Sequence, residues 1–148
     1  QTGVLTWRVA RSGTAQAGAV AGSLNKGSGY ICVYIDNIGY KAHRLIWALV
    51  TGEQPAGEID HRNLCRSDNR WANLRDATEQ QQRGNRRAYS NNTSGIKGVH
   101  WCKASQKWIA SVGDNGRRKT LGRFDTKEAA AAAYAGAALR IWGEFART

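Results

Sequence analysis

A polar segment without hydrophobic periodicity, GNRRAYSNNTSG at residues 84–95, is the feature that most constrains how this chain can fold. It divides the 148 residues into two stretches, each of which has room for only one small hydrophobic core. The pattern of apolar residues also differs on its two sides. The sequence therefore predicts two small domains, at residues 1–85 and 94–148, joined by a linker at 86–93.

The first stretch predicts a hairpin and two helices. The segment GYICVYI at 29–35 alternates between apolar and other residues, which is typical of a half-buried strand, and residues 40–42 can return as its partner. HRLIWALV at 43–50 is apolar nearly all round, which indicates a short buried helix. Residues 74–85 contain few helix breakers and predict a second helix.

The second stretch predicts a three-stranded antiparallel sheet packed on one helix. Asp125 is the predicted N-cap of that helix, with Glu128 in the capping-box position, and Gly143 lies just past the helix end. Together the two stretches predict an α+β fold. The three strand candidates are KGVHWCK at 97–103, KWIASV at 107–112 and RKTLGRF at 118–124.

The charge of the chain indicates a polyanionic partner. There are 22 Lys and Arg residues against 11 Asp and Glu, for a net charge of +11. Nucleic acid is favoured over a membrane surface, because the sequence has neither a basic amphipathic helix nor the roughly 20 consecutive apolar residues that span a bilayer. The three cysteines are widely spaced and form no CxxC pair, which argues against a disulfide framework and a structural zinc site.

The residues most suited to chemistry lie between Asp60 and Asn73. Asp60 and His61 are adjacent, an arrangement that phosphodiester hydrolysis can use when a carboxylate binds a divalent cation and an imidazole activates water. A hydrogen-bonded structural histidine is at least as common a reason for such a pair. The motifs Asp68-Asn69-Arg70 and Asn73-Leu74-Arg75 make the catalytic interpretation more specific.

At this spacing residues 3–85 resemble the HNH nuclease family, in particular its phage and homing-endonuclease branch. The resemblance implies a two-strand-plus-helix metal motif with His61 as general base and Asp60 as a metal ligand. It implies that Asn73 fixes the loop and the orientation of the histidine. The residues that carry it are His43-Arg44-Leu45, Asp60-His61, Asp68-Asn69-Arg70 and Asn73-Leu74-Arg75.

The chain departs from the family pattern at two places. Gln82 stands where the family usually has an Asn or His as its last metal ligand. The side-chain carbonyl oxygen of Gln82 suits a hard cation. Asn85, one helical turn later, is the alternative candidate for this ligand. Residues 63–65, Asn-Leu-Cys, replace the usual Asn-Gly and acidic residue. We interpret His43 as structural, because it lies beside an apolar helix without a carboxylate neighbour in sequence.

Residues 92–145 resemble the plant ethylene-response-factor (Apetala-two) type of DNA-binding domain. The resemblance rests on Ser94 to Val99, on Lys107-Trp108, on Leu121 to Thr126 and on Ala129 to Tyr134. It implies that the sheet enters the major groove of DNA. Because aromatic residues also pack such small sheets against their helix, we expect Trp108 to face the core and Trp101 to be partly exposed. The predicted DNA-binding residues are Lys97, His100, Trp101, Arg117, Arg118, Lys119 and Arg123.

Together these patterns predict a metal-dependent DNA endonuclease of the phage or mobile-element type, acting in the cytoplasm of a bacterial host. We expect it to use Mg²⁺, with Mn²⁺ as an alternative and no structural zinc, and to leave 5′-phosphate and 3′-hydroxyl ends on double-stranded DNA. A monomer would nick one strand and a homodimer could cut both. The alternative is a DNA-binding regulator with a weakened nuclease centre; RNA binding is less favoured, because the usual RNA-stacking motifs are missing.

Overall fold

The computed structural model describes residues 2–11 and 15–148, which form two compact units, one ending at Ala77 and one beginning at Thr78. The described residues contain three antiparallel sheets and three α-helices, so the predicted α+β class is confirmed. In this part of the chain no helix has the length and apolar character needed to cross a membrane.

The first unit begins with the predicted hairpin and helix, and a short strand that was not predicted extends the hairpin to a three-stranded sheet. Val33 is buried on the middle strand while its neighbour Tyr34 is exposed, which is the expected alternation. Asp36 and Asn37 both have positive φ and form the hairpin turn. The elements are β1 (Ser23–Leu24), β2 (Ile31–Ile35), β3 (Ile38–Lys41) and α1 (Ala42–Thr51).

A two-stranded antiparallel sheet follows, made of β4 (Glu58–His61) and β5 (Leu74–Ala77). The predicted helix at 74–85 is therefore wrong at its start, because its first four residues pair with β4. The helix that does form, α2 (Glu79–Asn85), begins at an N-cap on Thr78 whose side chain and that of Gln81 make both capping-box hydrogen bonds.

The second unit contains the predicted three-stranded sheet and its helix. The helix is capped by Thr126, one residue later than predicted: its hydroxyl accepts a hydrogen bond from the Ala129 N–H, while Asp125 instead pairs with Lys107. The elements are β6 (Val99–Cys102), β7 (Lys107–Asp114), β8 (Arg117–Phe124), α3 (Lys127–Trp142) and a 3-10 turn at Gly143–Phe145.

Small residues let α3 lie close to this sheet. Ala130, Ala137 and Ala138 are buried on the helix, around the fully buried ring of Tyr134. Gly98 has a φ of +73°, and a Cβ there would lie 2.3 Å from Tyr134 Cδ2, so only glycine fits at the start of β6. Helix α2 also packs against α3, which places it in the second unit rather than the first.

Candidate active site

Asp60 and His61 are the last two residues of β4, and both are buried, with 7% and 4% of their surface exposed. Strand alternation directs their side chains to opposite faces of the β4–β5 sheet. Their placement on a paired strand gives both residues a fixed backbone. The register sets Asp60 opposite Arg75 and His61 opposite Leu74.

A buried ion pair holds the carboxylate of Asp60. Arg75 donates from Nε and from Nη2 to Oδ2 of Asp60, each at 2.9 Å, and both side chains are more than nine-tenths buried. Sequence reasoning missed this pair, because it depends on the β4–β5 register. Opposite charges at facing positions of an antiparallel sheet are a known stabilising arrangement, so Arg75 supports both the strand pairing and the position of the carboxylate.

The imidazole of His61 is held by Asn69. Nε2 of His61 lies 3.1 Å from Oδ1 of Asn69, and Asn69 itself is 2% exposed. The resemblance gave the orienting role to Asn73, whereas the described hydrogen bond to the ring comes from Asn69. Burial lowers the pKa of His61, although the Asn69 hydrogen bond and the charge of Asp60 act in the opposite direction.

Asn73 closes the loop between the two strands. Its Nδ2 donates to the Asp68 carbonyl at 2.7 Å, and its Oδ1 accepts from the Asn63 N–H at 3.0 Å. These contacts agree with the predicted role of Asn73 in fixing the loop. Asp68 also stabilises this loop, because its carboxylate accepts hydrogen bonds from the Asn63 side-chain amide and from the Arg70 guanidinium. The guanidinium holds the pKa of Asp68 well below its usual range.

His43 brings a second buried imidazole to the site. Its ring meets the His61 ring edge to face at 5.1 Å and the Tyr30 ring at 5.0 Å. Its Nδ1 has no hydrogen-bond partner among the described residues. Burial, followed by repulsion from His61 and from nearby basic residues, lowers the pKa of His43 to about 3, so this ring is neutral at physiological pH.

The predicted last metal ligand, Gln82, and its alternative, Asn85, both lie on α2. Gln82 is half-buried and Asn85 is buried. Helix α2 belongs to the second unit, whereas Asp60 and His61 belong to the first. Among residues 2–11 and 15–148, no three His, Cys, Asp or Glu side chains are grouped so that they could hold a metal ion.

In the second unit, three of the predicted DNA-binding residues share the face of the sheet that points away from α3. His100 and Arg123 lie on this outer face at the same register level, on either side of Ile109. Arg118 crosses the outer face, donating to the Ser111 hydroxyl at 2.8 Å and approaching His100 Nδ1 at 3.5 Å. The outer face therefore carries Arg118 and Arg123, with His100 beside them.

The other predicted DNA-binding residues lie elsewhere. Trp101 pairs with Trp108 on the α3 side of the sheet, with ring centroids 5.2 Å apart, and Arg117 and Lys119 alternate to the side opposite Arg118. Lys97 donates from Nζ to the carbonyls of Arg83 and Gly84 at the end of α2. These four residues are thus not grouped with His100, Arg118 and Arg123.

Comparison with known proteins agrees with this two-part organisation. Residues 40–83 match the family model described as HNH endonuclease, and residues 94–144 match the AP2 domain model. The chain belongs to the family of proteins that join an HNH endonuclease domain to an AP2 domain. Among curated proteins it is similar to Protein 3.8 of Escherichia phage T7, with 31% identity over 112 residues that cover 73% of this chain and 92% of the relative. No solved structure matches the chain.

Proposed function

We propose that this protein is a metal-dependent DNA endonuclease that hydrolyses phosphodiester bonds and is targeted by the outer face of its β6–β8 sheet. The observation that carries the proposal is the buried Asp60–His61 pair at the end of β4, within the part of the chain that matches HNH endonucleases. The similarity to a phage protein supports action in the cytoplasm of a bacterial host.

His61 is the proposed general base. A base must be unprotonated before the reaction, and burial favours the neutral imidazole by lowering its pKa. The Asn69 hydrogen bond restrains the ring, so less reorganisation is needed when a water molecule and the scissile phosphate approach. His61 then takes a proton from that water, and the resulting hydroxide attacks phosphorus.

Asp60 and Gln82 are the proposed metal ligands, with Asn85 as the alternative to Gln82. A carboxylate and an amide carbonyl are hard oxygen donors, and this donor set suits Mg²⁺, which binds through few protein ligands and keeps several waters; Mn²⁺ is the alternative ion. Arg75 engages Oδ2 of Asp60 and orients the carboxylate. When bound, the ion supplies positive charge to the scissile phosphate and the leaving 3′ oxygen.

Duplex DNA is the proposed substrate, and the products are a 5′-phosphate and a 3′-hydroxyl. Arg118 and Arg123 supply positive charge on one sheet face, beside His100, where phosphates and base edges can be contacted. We propose that a monomer nicks one strand and that a homodimer cuts both. For the catalytic domain we propose residues 1–85, which include Gln82, followed by a linker at 86–93 and the DNA-binding domain at 94–148.

The test is conversion of supercoiled plasmid to the nicked form by the wild-type chain and by His61→Ala. We expect the substitution to abolish nicking and to leave DNA affinity within a few fold, because it removes the base without removing a phosphate contact. His100→Ala is the matched control, since it removes a histidine from the proposed DNA-binding face. This substitution should lower the DNA affinity more than it lowers the nicking rate at saturating enzyme. Undiminished nicking by His61→Ala would refute the assignment.

A DNA-binding regulator with a weakened nuclease centre is the second candidate. Two observations favour it: a glutamine occupies the last ligand position, and the Asp60 carboxylate is already neutralised by Arg75 in a buried ion pair. This candidate predicts tight binding to duplex DNA without nicking in either Mg²⁺ or Mn²⁺. The plasmid assay therefore separates the two functions.

A further inference from the structure

We propose that Lys41 and Arg66, which converge on the ring of Tyr30 beside His61, bind the phosphate backbone of the DNA strand that is cut. This assignment rests on the proposed function, because it takes duplex DNA as the ligand. It adds a DNA-binding site within the first unit, at two residues that the sequence patterns did not single out.

The register of the β2–β3 hairpin brings Lys41 to Tyr30. Lys41 is the last residue of β3 and pairs with Cys32 on β2. Tyr30 immediately precedes β2, and residues two apart along a strand point to the same face, so Tyr30 lies on the same side as Cys32 and Lys41. The Nζ of Lys41 is 4.6 Å from the centroid of the Tyr30 ring. The hairpin therefore fixes one cation beside this ring.

A second cation reaches the same ring from the loop between β4 and β5. The Cζ of Arg66 is 5.0 Å from the Tyr30 centroid, and its Nη1 donates to the Ser28 carbonyl at 2.9 Å. A guanidinium has five N–H donors, and within residues 2–11 and 15–148 Ser28 is the one acceptor that Arg66 meets. The contact with Ser28 thus holds the guanidinium in place and leaves most of its donors available to a ligand.

The two cations are exposed, and in the described part of the chain neither forms an ion pair. The nearby carboxylates of Asp60 and Asp68 are already engaged by other arginines. Two positive charges beside one ring repel each other, and the ring attracts each of them only weakly. A bound anion removes that repulsion, and phosphate is the anion that lysine and arginine side chains bind most commonly on nucleic acids.

Tyr30 connects this pair of cations to the candidate active site. Its ring centroid is 5.9 Å from that of His61 and 5.0 Å from that of His43. A phosphate held by Lys41 and Arg66 would therefore be separated from His61 by a single side chain. Binding of the backbone at this point would hold the strand while a neighbouring phosphodiester lies at His61, which is the positioning that a hydrolytic step needs.

The first experiment measures the affinity of the full-length chain for a labelled DNA duplex over a range of salt concentrations, in chelator so that no strand is cut. Lys41→Met and Arg66→Met should each flatten the plot of log affinity against log salt by about 0.9. Each should lower the affinity by roughly 1.5- to 5-fold, the size of one exposed ion pair. Arg66→Lys, which keeps the charge, should keep the slope. Arg8→Met is the matched control, because Arg8 is an exposed arginine of the same unit without a described contact to Tyr30.

Chemical footprinting of lysines tests the contact in the wild-type chain, without any substitution. The protein is acetylated with and without the duplex, and the modification of each lysine is measured by mass spectrometry. We expect DNA to protect Lys41 in proportion to the fraction of protein bound. Lys103 is the internal reference, because it is exposed in the turn between β6 and β7, outside the predicted DNA-binding set.

Nicking kinetics separate a binding role from a role in the chemical step. The double variant Lys41→Met with Arg66→Met should raise the DNA concentration that gives half-maximal nicking more than it lowers the maximal rate, because it removes contacts made equally before and during the reaction. Its melting temperature should stay close to that of the wild type, since both side chains are exposed.

Lys41 that is acetylated equally with and without DNA would overturn the proposal, and this result does not depend on whether any variant folds. A double variant with the same salt slope as Arg8→Met would overturn it as well. Protection of Lys41 and flattened slopes in a chain that nicks no DNA would support this binding site while refuting the proposed endonuclease. A wild type that nicks DNA with Lys41 unprotected would refute the binding site alone.

Discussion

Breaking the buried Asp60–Arg75 pair should destabilise the first unit severely. In Arg75→Met the Asp60 carboxylate would remain buried on a paired strand after losing the Nε and Nη2 donors of Arg75, which lie 2.9 Å from its Oδ2. Removing one partner of such a pair typically costs about 3–5 kcal/mol. For a domain of 60–100 residues each kcal/mol lowers the melting temperature by roughly 4–8 °C, so a fall of about 12–40 °C is expected.

Amide hydrogen exchange followed by mass spectrometry can measure this effect within the full chain. Peptides that cover β4 and β5 should lose protection in Arg75→Met, whereas peptides that cover β7 in the second unit serve as the internal reference. A chelator should be present, so that no divalent ion takes over the role of the guanidinium. Thermal unfolding of the same samples gives the shift in melting temperature.

Arg70→Met is the matched control. Arg70 also donates two hydrogen bonds to one aspartate, Asp68, but its side chain is 64% exposed, so water can replace the contact. We expect a much smaller change than in Arg75→Met.

Replacing both buried partners, as in Asp60→Leu with Arg75→Met, should recover most of the lost stability, because no buried charge remains unpaired. The reasoning fails if Arg75→Met is no more harmful than Arg70→Met, or if the double variant is as unstable as the single one.

The remaining predictions concern the metal, the proposed DNA-binding face of the β6–β8 sheet and pH. Gln82→Asn should raise metal affinity or nicking rate, because the shorter side chain restores the family's usual ligand, and Gln82→Ala should lower both; equal behaviour of the two variants would mean that Gln82 is not a ligand. Arg118→Ala should flatten the plot of log affinity against log salt by about 0.9 if Arg118 contacts a phosphate. Lys119→Ala, on the opposite side of the sheet, should change that slope less, and a larger change would place the DNA on the other side. His43 has a folded-state pKa of about 3, below its ordinary value of 6.5, so the unfolded state binds more protons between these values. The first unit should therefore lose stability as pH falls below 6.5, by at most about 1.4 kcal/mol per pH unit from this group, and urea titrations of His43→Leu should show a shallower dependence.

The secondary structure was predicted correctly where the apolar residues follow a clear local pattern in the sequence. The alternation around Val33 gave β2, and the apolar run from His43 gave α1, because side-chain direction in these elements follows from spacing alone. Strand β5 was missed because Leu74–Ala77 is short, and three of its four residues are buried, so it shows no alternation. The capping box of Thr78 and Gln81 was the available signal that a helix starts after it.

The candidate site was predicted only in part, because its geometry depends on pairing between distant segments. Asp60 and His61 could be found from their motif, but the Arg75 partner of Asp60 follows from the strand register. Likewise, spacing could not decide whether Asn69 or Asn73 meets the histidine, because both lie in an irregular loop. The alternation of side chains along a strand did contain a usable signal: His100 and Trp101 are consecutive on β6, so they could not both lie on the same face of the sheet.

The most direct test of the endonuclease proposal is the chemistry of the DNA ends that this protein produces. Purified full-length chain is incubated with supercoiled plasmid in Mg²⁺ or in chelator, and nicked product is then treated with DNA ligase, which seals a nick only between a 3′-hydroxyl and a 5′-phosphate. We predict nicking that requires the divalent ion and product that the ligase reseals. Plasmid that is bound and stays supercoiled in Mg²⁺ and in Mn²⁺, or nicks that ligase cannot seal, would contradict the proposal.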